Sequence, residues 1–429
     1  MKRLLTALAA SLIAASPAAA QPVAITGGKL VIGDGSAPID NGVVIVDDGR
    51  VVAAGNVAIP QGAIIVDASG KWVTPGIVAG YSRIGLAEVD GGSGPTDVSA
   101  GNSPHSAAID VAWGVNPSAE PIRVSRADGV TRALVAPGGT NSIFAGQGAV
   151  IDTGMDYDPV TRAGAFQYVY MGQGGAQLAG GSRSAAALQL IDALTQARDG
   201  RPSTDRPEEG ALTDADIRAL RPVVRGEVPM LVAVERASDI VNLIRIKRQF
   251  PRIDMVLLGA GEGWLVADQI AAAGISVIAE PTANRPASFD QLAATQSNIG
   301  RLRAAGVDVG VALISDFVNR NARNGRQLAG NLVALQKVPG HTGVSWDQAF
   351  AMISSVPADM MGLGGEIGSL RSGRRADVVI WNGDPLELMS VPERVWIDGV
   401  EQDLTTRASR LAERYREIGE GQFPEAYDR

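Results

Sequence analysis

From Ala24 to Val73 the chain strings short β-branched runs between Gly, Asp and Asn: KLVIGDG, GVVIVDDGRVVAAG, AIIVDASGKWV. This alternation predicts short strands joined by tight turns. VVIVDDGRVVAAG predicts a hairpin closed at Asp48-Gly49, because a two-residue turn matching the strand twist needs residues that tolerate positive φ. The same texture returns late, in IGSLRSGRRADVVIWNGDP and RVWIDGV. Between these ends the period changes. TRALVAP, PMLVAVE, IDMVLLGAG, SVIAEP and VDVGVALIS are continuous apolar runs, and helical patterns such as Ala237 to Gln249 and WLVADQIAAAG follow two of them. Strands apolar on both faces and repeated β-then-α units predict a parallel sheet covered by helices.

The stretch from Gly76 to about Leu363 is long enough for a (β/α)8 TIM-type barrel. Strands from both chain ends then fold together as a composite β-sandwich side domain. The expected division is residues 1–20 as a leader, 21–75 with 365–403 as the side domain, 76–364 as the barrel and 404–429 as a helical tail. Within that tail TTRASRLAERYREI, Thr405 to Ile418, predicts a charged amphipathic helix.

Composition sharpens the setting. MKRLLTALAASLIAASPAAA has Lys2 and Arg3, an apolar run and Ala18-Ala19-Ala20 before Gln21, the pattern of a cleavable signal peptide. A periplasmic or secreted location is therefore expected, with a mature start near Gln21. No later run is apolar enough to predict a membrane span. The absence of cysteine among 429 residues excludes disulfides and thiolate chemistry and suits an oxidising compartment. A net charge of -8 without a basic run argues against a nucleic-acid partner.

Candidate chemistry concentrates at strand ends, where barrel sites are built. VTPGIVAGYSRIG places two large polar side chains, Tyr81 and Arg83, two residues apart on one strand. MVLLGAGEGWLVADQIAAAGISVIAEP imitates a dinucleotide-binding turn, but its glycines read G-x-G-x-G and fit a barrel loop better. Glu262 in that loop is expected to cap a helix or orient a loop. Asn141, Ser142 and Gln147 in GGTNSIFAGQGAV, with Ser182, Arg183 and Ser184 in GGSRSAA, are polar loop groups without a partnered base. The two histidines are His105 and His341. His105 is a candidate general base, and His341 reads as a surface residue.

The order of these segments resembles the amidohydrolase superfamily, especially its imidazolonepropionase-like branch. The resemblance rests on WVTPGIV, on GGTNSIFAGQGAVI, on ERASDIVNLIRIKRQF with GEGWLVADQIAAAGISVIAEP, and on SWDQAFAMISSVPADMMGLGGEIGSLRSGRRADVVIWNGDPLE with RVWIDGV. It implies metal-assisted hydrolysis of C–N bonds, with zinc at the C-terminal mouth of the barrel. It also implies a His-x-His pair on the first strand, a lysine or glutamate on the fourth, histidines on the fifth and sixth, and an aspartate on the eighth.

In this chain Tyr81 and Arg83 fall on the His-x-His pair, Ala233 and Glu235 on the fifth-strand position, Gly259 on the sixth, and Asp316 on the eighth. No lysine lies between Lys71 and Lys247 to serve the fourth. A guanidinium repels a metal cation. The expectation is therefore no metal or other cofactor, with Arg83 standing in for the metal charge by pairing with Asp316 and with Glu235. Three functions follow as expectations. The first is a non-catalytic subunit or partner of an intact amidohydrolase paralogue. The second is a metal-independent hydrolase of small cyclic amides or peptides using Asp316, His105 and Tyr81. The third is a small-anion binding protein anchored by Arg83. A hetero-oligomer with that paralogue or a homodimer is expected.

Overall fold

The computed structural model describes residues 21–89, 96–200, 212–314 and 321–416. The signal-peptide reading, Asp316 and the end of the tail helix lie outside them. The first strands are β1 (Val23–Leu30), β2 (Ile39–Asp47), β3 (Arg50–Gly55), β4 (Ile64–Asp67) and β5 (Trp72–Pro75). β2 and β3 form the expected hairpin, with Asp48 at φ 46 and Gly49 at φ 70 in its turn. The late strands β14 (Val378–Trp381), β15 (Pro392–Ile397) and β16 (Val400–Glu401) join them. β14 pairs antiparallel with β5, so strands from both chain ends share one sheet. Its hydrogen-bonded order is β16-β15-β14-β5-β1-β2-β3, with β4 beside β1. The expected sandwich is thus one continuous eight-stranded sheet, packed on Ile25, Leu30, Val44, Val73, Val378 and Trp396.

The barrel is built from β6 (Ile77–Ser82), β7 (Val130–Val135), β8 (Phe144–Asp152), β9 (Val160–Tyr170), β10 (Met230–Val234), β11 (Met255–Gly259), β12 (Ser276–Ala279) and β13 (Val309–Val311). They form a second eight-stranded sheet in sequence order. A Cβ added to Gly80 on β6 would lie 3.4 Å from the Val311 carbonyl oxygen on β13, so the sheet nearly closes. Its interior is filled by Val78, Leu134, Phe166, Leu231, Leu258 and Ile278, with Met360 and Met361 in the same cluster.

One unit departs from strict β/α alternation. β8 runs antiparallel to both β7 and β9. No helix separates these three strands, so the chain returns directly as a meander. Two glycines on β8 permit this. A Cβ on Gly146 would come 2.7 Å from the Ile109 carbonyl oxygen, and one on Gly148 would come 2.0 Å from Phe166 Cζ. The Phe166 ring therefore covers the bare Gly148 backbone on the neighbouring strand.

Barrel and side sheet are tied by Arg132 on β7, whose side chain is fully buried. Its Nε donates to Asp377 Oδ2 at 2.7 Å, Nη2 lies 2.8 Å from Asp398 Oδ1, and Nη1 donates to Thr161 Oγ1 at 2.8 Å. Asp152, at the end of β8, lies 3.5 Å away. Burial pushes the Asp152 carboxyl up to about 6, outweighing the guanidinium beside it. Beyond the side sheet, the tail helix spans Arg407–Arg414, shorter than expected, and buries none of its residues.

Candidate active site at the barrel mouth

The C-terminal ends of β6, β9, β10, β11, β12 and β13 converge on one mouth. On β6, Tyr81 turns into the barrel and is 4% exposed, which answers why a phenol stands at the end of a buried strand. Its ring meets Tyr168 of β9 edge-on, with centroids 5.9 Å apart and hydroxyls 3.4 Å apart. Arg83 follows just beyond the strand, half-buried. Its Nη2 donates to the hydroxyls of Tyr81 at 3.2 Å and Tyr170 at 3.3 Å. Tyr170 in turn donates to the Gly138 carbonyl. Burial raises the Tyr168 and Tyr170 hydroxyls above the ordinary phenol range, so both stay protonated near neutrality. Burial also opposes the Arg83 charge, but the surrounding phenol oxygens outweigh it and hold the guanidinium firmly protonated.

The expected pairing of Arg83 with Glu235 does not form: among the described residues no ion pair includes Arg83. Glu235, one residue past β10, turns instead toward β11. Its Oε2 accepts from the Gly261 N–H at 2.8 Å. A Cβ on Gly259 would lie 2.3 Å from Glu235 Oε1, and one on Gly261 would lie 2.9 Å from Oε2. Gly259 (φ +95) and Ala260 (φ 48) both curl the end of β11 in the left-handed region. The glycine run GAGEG that imitates a nucleotide loop therefore cradles the protein's own carboxylate. Burial raises the Glu235 carboxyl above its usual range, against the pull of the Gly261 N–H and Gln291, and Asp290 and Glu280 add to the rise.

Glu235, Gly259, Gly261, Glu280, Gln291 and Ile314 line a cavity of about 720 Å³ over β10 to β13. Glu280 Oε2 accepts from the Ile314 N–H at 2.8 Å. Glu262 is a brace, as expected: its two oxygens accept from the N–H groups of Ala237 at 3.1 Å and Ala293 at 3.0 Å. Ala233 lies on β10, two residues before Glu235, and pairs with Tyr170 of β9.

The remaining candidates separate from this cavity. His105 lies across the mouth in a second cavity with Asn141 and Ser142. Gln147 donates to the Ala108 carbonyl at 3.2 Å, and Ser182 accepts from the Ala185 N–H as a helix cap. Arg183 is spent on ion pairs with Asp239 at 3.0 Å and with Asp290. His341 is half-buried, with Nδ1 3.3 Å from the Pro339 carbonyl. Tyr168 and Tyr170 were not singled out from the sequence. Their signal was present in AFQYVY, where Phe166, Tyr168 and Tyr170 alternate along one face of the fourth barrel strand.

Zinc takes imidazole, thiolate or carboxylate ligands. The first strand offers a phenol and a guanidinium, the fourth two phenols, and the sixth a glycine covered by Glu235. Among the described residues no three His, Cys, Asp or Glu side chains come together to hold a metal ion. The described donor set does not fit the zinc that the resemblance implies.

Comparison with known proteins shows what the chain is similar to. The Amidohydrolase family profile matches residues 266–401. The chain is 25% identical over 408 residues to Amidohydrolase tasK of Hapsidospora irregularis, covering 86% of this chain and 40% of that protein. It thus spans less than half the length of that relative. It is 26% identical over 380 residues to the imidazolonepropionase of Acidiphilium cryptum (strain JF-5), covering 81% of this chain and 89% of that enzyme. The crystal structure of an amidohydrolase from Thermotoga maritima MSB8 superposes with a TM-score of 0.77 at 25% identity, covering 88% of this chain and 99% of that one. The nearly closed eight-stranded barrel, the side sheet from both chain ends and these relatives make the chain similar to the amidohydrolase superfamily, and to its imidazolonepropionase-like branch.

Proposed function

We propose that this chain is an exported amidohydrolase-fold protein that does not run zinc hydrolysis and acts as a non-catalytic subunit or partner of an intact amidohydrolase. The observation that carries the reading is Glu235 folded across Gly259, which fills the volume a sixth-strand histidine needs. The guanidinium and phenols at the end of β6 support it, because they place a fixed positive charge where a cation would sit. Metal analysis of the purified chain is the first test, and no stoichiometric zinc is expected. Co-expression with a relative that keeps the His-x-His pair is expected to yield a complex on size exclusion. Stoichiometric zinc, or a chain that never associates with such a relative, defeats the proposal.

A second reading has its own support. The Glu235 carboxyl, raised by burial and lining a cavity beside Glu280, has the environment of a general acid. Under that reading the metal-stripped protein hydrolyses small cyclic amides or peptides, and Glu235→Gln abolishes the reaction. Hydrolysis unaffected by Glu235→Gln counts against it.

A further inference from the structure

A second cavity, of about 1150 Å³, opens on the other side of the mouth between the 102–106 loop, the 140–142 turn and the helix Arg183–Asp199. Its wall carries His105, whose protonation pattern follows from a chain of hydrogen bonds. Thr213 Oγ1 donates its one proton to Asp216 Oδ2 at 2.7 Å. The same oxygen accepts from the Asp216 N–H at 3.2 Å. His105 Nδ1 lies 3.1 Å from it. With its proton already given away, Thr213 Oγ1 meets the ring as an acceptor, so Nδ1 carries the imidazole proton. Nε2 is left as a bare acceptor, and it has no protein partner among the described residues.

The device holding this ring is rigid. Asp216 is fully buried and also accepts from the N–H groups of Ser106 and Ala108, both at 2.8 Å. The carboxylate thus pins the loop that carries His105 to the start of the helix Asp214–Arg225. A second acceptor without a donor lies in the same wall: Gln189 Oε1 is buried and accepts no hydrogen bond. That oxygen has no surface on the cavity as the side chain stands, so a ligand donor reaches it only with a turn of the Gln189 amide. Asn102, Asn141 and Ser142 supply neutral polar contacts, and Leu188, 68% exposed, supplies an apolar one. Among the described lining residues Asp192 is the one formal charge, and Gln196 already donates to it at 2.7 Å.

We propose that this cavity is a ligand site, separate from the Glu235 cavity, for a small neutral molecule that presents N–H or O–H donors beside an apolar part. His105 receives one donor at Nε2, and Thr213 and Asp216 act as positioning residues that fix its tautomer. The inference is independent of whether the Glu235 cavity is catalytic.

Peptide amides and sugar hydroxyls share this donor chemistry, so the test uses an N-acetylated dipeptide amide and a neutral disaccharide. The full chain is labelled with 15N-histidine, and long-range proton–nitrogen correlation reads the tautomer. Two histidines make the spectrum simple, and His341→Asn assigns it. The expected result is a protonated Nδ1, with a bare Nε2 whose signal shifts saturably with at least one probe; which probe shifts it tells amide from hydroxyl. His105→Ala is expected to weaken binding about fivefold, the size of one ordinary hydrogen bond to an exposed ring. His105→Gln, which keeps an acceptor near Nε2, should retain most of the affinity. Thr213→Val should mix the tautomers while Thr213→Ser keeps one. A protonated Nε2 overturns the assigned role of His105. No saturable response to either probe at about 10 mM overturns the site itself.

Discussion

At the scale of single residues, Gly259 and Glu235 behave as one unit. Any side chain at 259 meets two penalties, the positive φ and the carboxylate oxygen 2.3 Å from its Cβ. Gly259→Ala is therefore expected to cost about 2–4 kcal/mol by urea unfolding. In a Glu235→Ala background the steric part disappears and the strain remains, so the cycle should give a coupling of at least about 1 kcal/mol. Additive costs would show that the two side chains do not share space. Such a pair is hard to read from sequence. Gly259 was legible as a missing histidine and Glu235 as a misplaced acid, but the reason for each was the other. The same holds in part for Arg83: its charge, its place and its neighbour Tyr81 were legible, whereas its other described partner, Tyr170, comes from a strand 87 residues later. Nothing local in GYSRIG encodes Tyr170.

At the scale of elements, periodicity carried most of the barrel, because strands buried on both faces leave continuous apolar runs in the sequence. The helix Ala237–Gln249 and the Asp48-Gly49 hairpin follow the same local logic and were found where the pattern put them. The meander of β7, β8 and β9 was not anticipated. A strand rich in glycine, FAGQGAVID, has weak propensity of its own, and its direction is set by the aromatic ring on the neighbouring strand. Gly148→Val should therefore destabilise the chain by about 3 kcal/mol, since its Cβ overlaps the Phe166 ring. Gly101→Ala is the control: its Cβ would meet only Asn141 Oδ1 at 3.7 Å, and less than about 0.5 kcal/mol is expected. Equal effects in thermal melts would argue that β8 is not held by this ring.

At the scale of the whole molecule, Arg132 and its carboxylates join two sheets that are far apart in sequence. Asp152 is the member with a raised pKa, about 6 against 3.8 when unfolded. The folded state thus holds its proton more tightly, so its contribution to stability is full below the unfolded value and fades as pH rises through about 6. Asp398 has the opposite sign: burial opposes its charge, but Arg132 and Arg375 outweigh it and lower its pKa. Its contribution is present above the unfolded value and fades on acidification. Asp152→Asn should accordingly flatten the loss of stability between about pH 4 and 6 by roughly 2 kcal/mol, followed by denaturation at a series of pH values. An unchanged profile would remove Asp152 from the balance. The Arg132 knot also ties a substitution in one sheet to the other. A side sheet that did not present carboxylates at the places of Asp377 and Asp398 would leave a buried guanidinium stranded. A substitution at Arg132 in the barrel is therefore answered in the side sheet, where Asp377 and Asp398 would lose their cation.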